Sequence, residues 1–311
     1  MGPRVVSHLD PDALSRCAEI LGNGGIVALP TETVYGLGAS INSRDGIRRV
    51  FEVKNRPHTH PLIVHGSSHT VLDEVAVQVS QRARHLAEHA WPGPVSILVQ
   101  RSERVPPTVT GGRDTVVVRV PAQTFFRDLV DLLGSPIAAP SANRFGRVSP
   151  TSAQHVADDL GDDVDLIVDG GSSVVGVEST ILDMTVEPPQ VLRHGGVPVE
   201  DLESLLGCAI AEPTGSIRAP GMLASHYAPR CRIHAVETQT EALELLARLD
   251  PGTSGLVSTP HEVGLYAARL YDLLRSCDAK AWTHAVMVLP PPEGLGRAIR
   301  DRLSRASATC E

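Results

Sequence analysis

The residues able to do chemistry stand at the ends of apolar runs, beside glycine or proline, where sheet proteins commonly place ligands. In PTETVYGLG, Thr31, Glu32 and Thr33 follow the apolar run Gly25 to Leu29, and Gly36 and Gly38 permit close backbone approach. A polar turn between strands would use the same residues. Lys54, Asn55, Arg56 and Pro57 pair a point charge with a planar fork, a combination suited to gripping phosphate and neutralising charge in transfer. The helix dipole would favour the same cations at a solvated helix end. The chain has only two lysines, Lys54 and Lys280, against 26 arginines, which singles Lys54 out.

His65 closes PLIVH, within reach of a substrate carboxylate or hydroxyl, or else as an ordinary surface histidine. Arg119 interrupts the valine-rich DTVVVRVP. If that position is buried its guanidinium needs an anionic partner, and if it faces outward it needs none. In AAPSANRFGRVSP a buried run leads into Ser141, Asn143, Arg144, Arg147 and Ser149, a higher density of polar groups than a helix cap requires. Gly176 to Thr180 and Arg193 to Gly196 repeat the pairing of polar group and glycine. Asp165 and Asp169 could ligate a metal, although Asp169-Gly170-Gly171 reads better as a turn. No P-loop, no G-x-G-x-x-G between strand and helix, no G-x-S-x-G elbow and no H-E-x-x-H is present. The inventory favours electrostatic positioning of an anionic, phosphate-bearing substrate.

Those residues need a sheet to hold them. Strands are expected at Gly25 to Leu29, Leu62 to His65, Val95 to Gln100, Thr115 to Val120, Ile137 to Ala139, Val164 to Asp169, Glu178 to Met184 and Val191 to Arg193. Helical patterns lie at Ser80 to Ala90, Thr124 to Leu133 and Ser152 to Leu160. Another is capped by Ser43 and places Ile47, Val50, Phe51 and Lys54 on one face. Consecutive and alternating strands together indicate a large twisted mixed sheet with flanking helices. A stretch rich in Pro and Gly at 207–230 reads as an interdomain linker, which assigns 1–206 to a first domain. Residues 231–311 alternate strand and helix (232–236, 241–249, 255–258, 263–274, 285–289, 295–304), as in a small βαβ-type, Rossmann-like domain.

Bulk properties narrow the classes. At 311 residues with 42% hydrophobic content the chain can bury two cores. A net charge of −8 disfavours a protein that coats nucleic acid. The five cysteines (Cys17, Cys208, Cys231, Cys277, Cys310) form no C-x-x-C pair, so neither a disulfide framework nor a zinc cage is expected. Neither a signal pattern nor a long apolar span occurs, and a cytoplasmic location without membrane contact is the expectation.

PTETVYGLG, KNRP with PLIVH, WPGP, DTVVVRVP, APSANRFGRVSP, GVESTILD and LRHGG, in this order, resemble the YrdC-like threonylcarbamoyl-adenylate synthase family. APGMLASHYAP and GLGRAIRDRL are similar to its two-domain branch. The resemblance implies a nucleotidyltransferase that makes threonylcarbamoyl-AMP and diphosphate from L-threonine, bicarbonate or CO2, and ATP. This would be the first step towards N6-threonylcarbamoyladenosine at position 37 of tRNA. It implies Mg2+ brought with ATP, no protein metal site and a downstream tRNA threonylcarbamoyl transferase as partner, while the acidic net charge and the lack of aromatic runs lead to the expectation of no stable nucleic-acid binding.

By the same resemblance L-threonine would be held by Thr33, His65, Arg119, Ala139 and Ser179. ATP would be held by Arg56, His60, Thr115, Ser141, Ser149, Arg193 and Tyr227, with Tyr227 closing over the nucleotide as part of a linker lid. Lys54, Arg56, Ser141 and Asn143 would be catalytic, neutralising phosphate charge and aligning the reacting groups. Rival readings are a concave RNA-binding module, a carbamoyltransferase of another pathway, and a nucleotide-binding regulator.

Overall fold

The computed structural model describes residues 4–213 and 227–308. The central part of the expected linker, 214–226, lies outside the described residues. Among the described residues, no helix is long and apolar enough to cross a membrane.

An 11-stranded mixed sheet forms the larger unit. Across it run Val5–Ser7, Leu166–Asp169, Val27–Leu29, Gly36–Ser40, Ile137–Ala139, Ile63–His65, Thr115–Arg119, Val95–Arg101, Thr180–Asp183 and Gln190–Arg193. Ala76–Val77 adds to Val95–Arg101. Strands alternate their side chains between faces, so Ile26 and Ala28 enter one core while Val27 and Leu29 enter another. Helix Arg44–Lys54 packs Ile47, Val50 and Phe51 into the first core. Helix Thr124–Leu133 packs Phe126 and Leu129 into the second.

Register decides which polar groups meet. His65 pairs with Arg119 on the parallel neighbour, and Ile63 lies opposite Ala139 on the antiparallel one. Ile63 and Ala139 therefore share a sheet face, where Ile63 joins a small buried cluster with Leu98, Val117, Ile181 and Leu192.

The smaller unit has three parallel strands, Arg232–Val236, His284–Val288 and Ser254–Leu256, with His284–Val288 in the middle. Helices Gln239–Leu246, Val263–Ala279 and Leu295–Ser307 accompany it. Its apolar core is not private. Val34, Val148 and Val177 of the larger unit are part of the same cluster as Tyr266, Leu270, Tyr271, Met287 and Leu303. Residues just after helix Val199–Leu206 also turn back onto the large sheet, where Ala211 bridges to Gln190.

Some expectations shift. The strand expected from Glu178 begins at Thr180, which leaves Glu178 and Ser179 in the preceding loop. Val5–Ser7, Ala13–Gly22, Val71–Val75, Ala76–Val77, Pro107–Thr110 and Val199–Leu206 were not among the expected elements. Most are too short to show a period, and Val5–Ser7 is a sheet edge held only by pairing with Leu166–Asp169.

Docking of the units leaves no room at Gly176, whose φ is +74° and where a Cβ would lie 2.4 Å from the Ala268 Cα. Gly176→Ala should therefore destabilise the chain by about 2–4 kcal/mol, through left-handed strain and overpacking against backbone. Denaturant unfolding measures this, and an unchanged midpoint would mean that the helix does not seat there.

Candidate active site

A cavity opens on the sheet face marked by Ile63 and Ala139. Its volume is about 60 Å3. Of the expected site residues, Thr33, Arg56, His65, Arg119, Ala139, Ser141, Ser179, Arg193 and Tyr227 line it. Thr31, Val34, Gly36, Phe126 and Glu178 line it as well.

One end is built around Arg119, which is 4% exposed at the end of its strand. Its Nη1 donates to the Thr33 hydroxyl at 2.8 Å, and its Nη2 lies 2.7 Å from a Glu32 carboxylate oxygen. That carboxylate makes a close ion pair off the hydrogen-bonding axis, since neither atom has an aligned partner. The Glu32 carboxylate supplies the anion that a buried Arg119 requires. Beside it, His65 Nδ1 is buried with no hydrogen-bond partner. Burial, and then the Arg119 charge, push the His65 imidazole down to about 3, so it is neutral at ordinary pH. An unpartnered ring nitrogen, a guanidinium and a hydroxyl thus converge on a space fit for a small zwitterion.

The other end is cationic. Arg193 donates from Nε to the Ser179 carbonyl at 3.1 Å and from Nη2 to the Ser179 hydroxyl at 3.0 Å. Ser179 also meets the Ser96 hydroxyl at 2.7 Å. Arg56 donates to the Pro61 carbonyl at 2.9 Å, and its guanidinium lies over the Phe145 ring at 5.7 Å. Burial brings its pKa down to about 10, with Arg193 nearby acting in the same direction. Tyr227, 1% exposed and at φ 62°, covers this end, and burial followed by the Glu178 charge raises its phenol to about 12.

Lys54, Asn143, His60, Thr115 and Ser149 do not line the cavity. The Lys54 ammonium is buried and donates to the Ser141 carbonyl at 2.6 Å, to the Asn143 carbonyl, and to Asn143 Oδ1 at 3.4 Å. Burial first, and Arg56 second, hold its pKa well below the usual lysine range. Asn143 uses its amide on the Arg144 and Arg147 carbonyls at 2.9 and 2.7 Å. Together they pin the Ser141-to-Arg147 loop from behind, so that Ser141 faces the cavity. His60 packs on Phe145, with ring centroids 5.2 Å apart. Thr115 opens the strand that Arg119 closes, about 13 Å away along it. Ser149 donates to Glu178 at 2.7 Å.

Glu178 is the feature that sequence reading passed over, although it stands in the quoted GVESTILD. Ser149, Tyr271 and Arg302 all reach its carboxylate. Burial alone would raise its pKa, but Arg302 and Arg193, aided by the two hydroxyls, hold it down to about 2. Asp165 binds Arg49 and the Ile26 amide, and Asp169 caps its own turn through Gly171. Among the described residues no three His, Cys, Asp or Glu side chains gather as a metal cage.

Thr33 and Ser179 are hydrogen-bonded to guanidinium groups, which cannot accept a proton, so neither hydroxyl has a base there to activate it. Such a cavity, on a mixed α/β sheet, marks a protein that positions anionic reactants rather than attacking them. A model of the Sua5/YciO/YrdC family, described as telomere recombination, matches residues 19–195, and one described as threonylcarbamoyl-AMP synthase, C-terminal domain, matches 197–308. The chain belongs to the Sua5/YciO/YrdC family, with the added C-terminal domain of its two-domain members. It is 38% identical to the threonylcarbamoyl-AMP synthase of Pyrococcus abyssi, over 93% of this chain and 92% of that one. The corresponding figures for the Bacillus subtilis protein of the same name are 34%, 97% and 94%. A crystal structure of P. abyssi Sua5 complexed with L-threonine superposes with a TM-score of 0.90 at 37% identity, covering 94% of each chain.

The ionisation of His65 has a stability consequence. Its pKa falls from 6.5 when unfolded to about 3 when folded. Within that window only the unfolded chain takes up the proton, so this group's stabilisation is complete above the window and is lost as pH falls through it, at about 1.4 kcal/mol per pH unit. Unfolding free energies of the native chain and of His65→Asn between pH 7 and pH 4 should differ in slope by about one proton. Parallel curves would contradict a buried neutral imidazole.

Proposed function

We propose that this chain is an L-threonylcarbamoyladenylate synthase, joining L-threonine, bicarbonate or CO2, and ATP into threonylcarbamoyl-AMP and diphosphate. The observation that carries this is the two-ended cavity. Arg119, Thr33 and His65 offer a carboxylate and hydroxyl site at one end, and Arg56, Arg193 and Ser141 a phosphate site at the other. The names of the relatives and the threonine-bound neighbour support the same reading.

In this reading the carboxylate of threonine pairs with Arg119, displacing or sharing the ion pair with Glu32. The threonine amine bonds to the carbon of CO2 and loses a proton to water, or to the carbon of bicarbonate with loss of water, to give a carbamate. A carbamate oxygen then attacks the α-phosphorus of ATP, forming a P–O bond as the bond to the β-phosphate oxygen breaks and diphosphate leaves. The protein contributes position and charge: Arg56 and Arg193 stabilise the phosphates, Ser141 orients them, and Lys54 with Asn143 holds the loop that presents Ser141. Tyr227 covers the nucleotide side. His60, Thr115 and Ser149 complete the proposed ATP surroundings, and Ala139 and Ser179 those of threonine.

The cavity walls do not form a ligand set for a metal, since the Glu178 oxygens are taken by Ser149, Tyr271 and Arg302. Mg2+ would come with ATP and lower the charge of its phosphates. A cytoplasmic location is the expectation from the lack of a long apolar span, and the family resemblance implies a transferase that passes the threonylcarbamoyl group to tRNA.

The purified chain with L-threonine, bicarbonate, Mg2+ and ATP labelled in the α- and γ-phosphates should give threonylcarbamoyl-AMP and diphosphate, in need of both threonine and bicarbonate. Arg119→Gln should raise the KM for threonine at least about tenfold, and Arg56→Ala should lower kcat/KM for ATP by about 30-fold or more. Lys54→Ala should lower activity by loosening the Ser141 loop. No adenylate under any condition, with RNA binding retained, would replace this reading with that of a binding module.

A further inference from the structure

The smaller unit sends two side chains into the wall of the cavity. Tyr271, on helix Val263–Ala279, places its hydroxyl 2.7 and 2.9 Å from the two Glu178 carboxylate oxygens. Arg302, on helix Leu295–Ser307, is fully buried and donates from Nε to Glu178 at 3.0 Å. Its Nη1 donates to the His194 carbonyl at 2.7 Å and meets Asp301 at 2.9 Å, and its guanidinium covers the Tyr227 ring at 5.3 Å. Tyr227 in turn stacks on Tyr271 at 5.8 Å. The loop preceding Thr180 is held from both sides: Gly176 lies flush on helix backbone, and a Cβ at Gly195 would lie 2.3 Å from the Glu178 carbonyl oxygen.

Glu178 lines the same cavity as Arg193. A buried carboxylate left without its partner is costly, and Arg193 is the cation whose charge acts on Glu178 next after that of Arg302. A guanidinium engaged by a buried carboxylate has less to offer an incoming phosphate. We propose that Arg302 and Tyr271 are positioning residues for the phosphate end of the cavity: they occupy the Glu178 carboxylate and hold it against Ser149, which keeps the charge of Arg193 available to an anionic ligand. The smaller unit thereby acts as the source of a counter-ion for the larger unit's site. This inference rests on the reading of that end as the ATP site.

The test uses the full chain and measures KM for ATP, KM for threonine and kcat. Arg302→Gln should raise the KM for ATP about tenfold while that for threonine changes less than about twofold, as expected for losing one charge-assisted contact. Arg302→Lys should restore most of the loss. The double variant Arg302→Gln with Glu178→Gln, which removes both charges, should bind ATP better than Arg302→Gln alone, whereas a purely structural role predicts that the two losses add. Tyr271→Phe keeps the ring and its packing, so folding is not at issue, and should raise the ATP KM about threefold.

Additive losses in the double variant, equal rises in both KM values, an Arg302→Lys variant as impaired as Arg302→Gln, or an unchanged Tyr271→Phe would each overturn the inference. A native chain that forms no adenylate would overturn the parent reading instead, which keeps the two failures apart.

Discussion

Burying several positive charges around one small cavity is the constraint that the rest of the molecule answers. Arg56, Arg119 and Arg193 are 8%, 4% and 7% exposed, and Lys54 is 1% exposed. Removing such groups from water costs several kcal/mol each unless partners replace the lost hydration. The chain supplies a different partner to each. Arg119 has a carboxylate from the loop after Val27–Leu29, Arg193 has the hydroxyl and carbonyl of Ser179, and Arg56 has the Pro61 carbonyl and the face of Phe145. Lys54 has carbonyls that no ligand could displace without moving the loop. The loops at this end of the sheet are therefore ligands of buried cations as well as connections, and that fixes their shape.

Partner chemistry separates the two ends of the cavity. A guanidinium paired with a side-chain carboxylate can exchange it for a similar carboxylate on a ligand at little net change in charge. A guanidinium held by a serine carbonyl and hydroxyl carries its full charge into the site, which suits the greater negative charge of a phosphate. The arrangement sorts a singly charged amino acid from a polyphosphate before any contact with the reacting atoms is considered.

Much of this was legible in the sequence because polar residues recur beside Gly and Pro at the ends of apolar runs. Thr33, Arg56, His65, Ser141, Ser179 and Arg193 stand in such places and, with Arg119 from within a valine-rich run, line one cavity. Lys54 was found for its rarity, but composition says nothing of direction, and its ammonium points to the back of a loop. Ser149 was found for its hydroxyl, which serves Glu178. Glu178 itself was read into a strand, where alternation would have hidden it. The strand starts at Thr180, since the Gly176 turn must first seat on helix Val263–Ala279. Tyr271 and Arg302 lie on ordinary amphipathic helices, and a period of 3.6 marks a buried face without saying what lies across it. GLGRAIRDRL did carry Arg302, as part of a resemblance rather than a pattern with a physical reading.

The division into a large and a small unit is real in the sheets and incomplete in the cores. Two sheets exist because the parallel strands after Arg232 pair only with one another. Yet Val34, Val148 and Val177 belong to the apolar cluster of the smaller unit: Val34 follows Thr33 and Val177 precedes Glu178, both at the cavity, and Val148 precedes Ser149, which donates to Glu178. An apolar side chain anchored in one unit and a polar neighbour facing the cavity are held by the same short stretch of backbone. Loss of the smaller unit would expose three valines and leave Glu178 without two of its donors. The cavity wall is thus a product of docking, and the shape of the phosphate end depends on contacts that the smaller unit makes to Glu178.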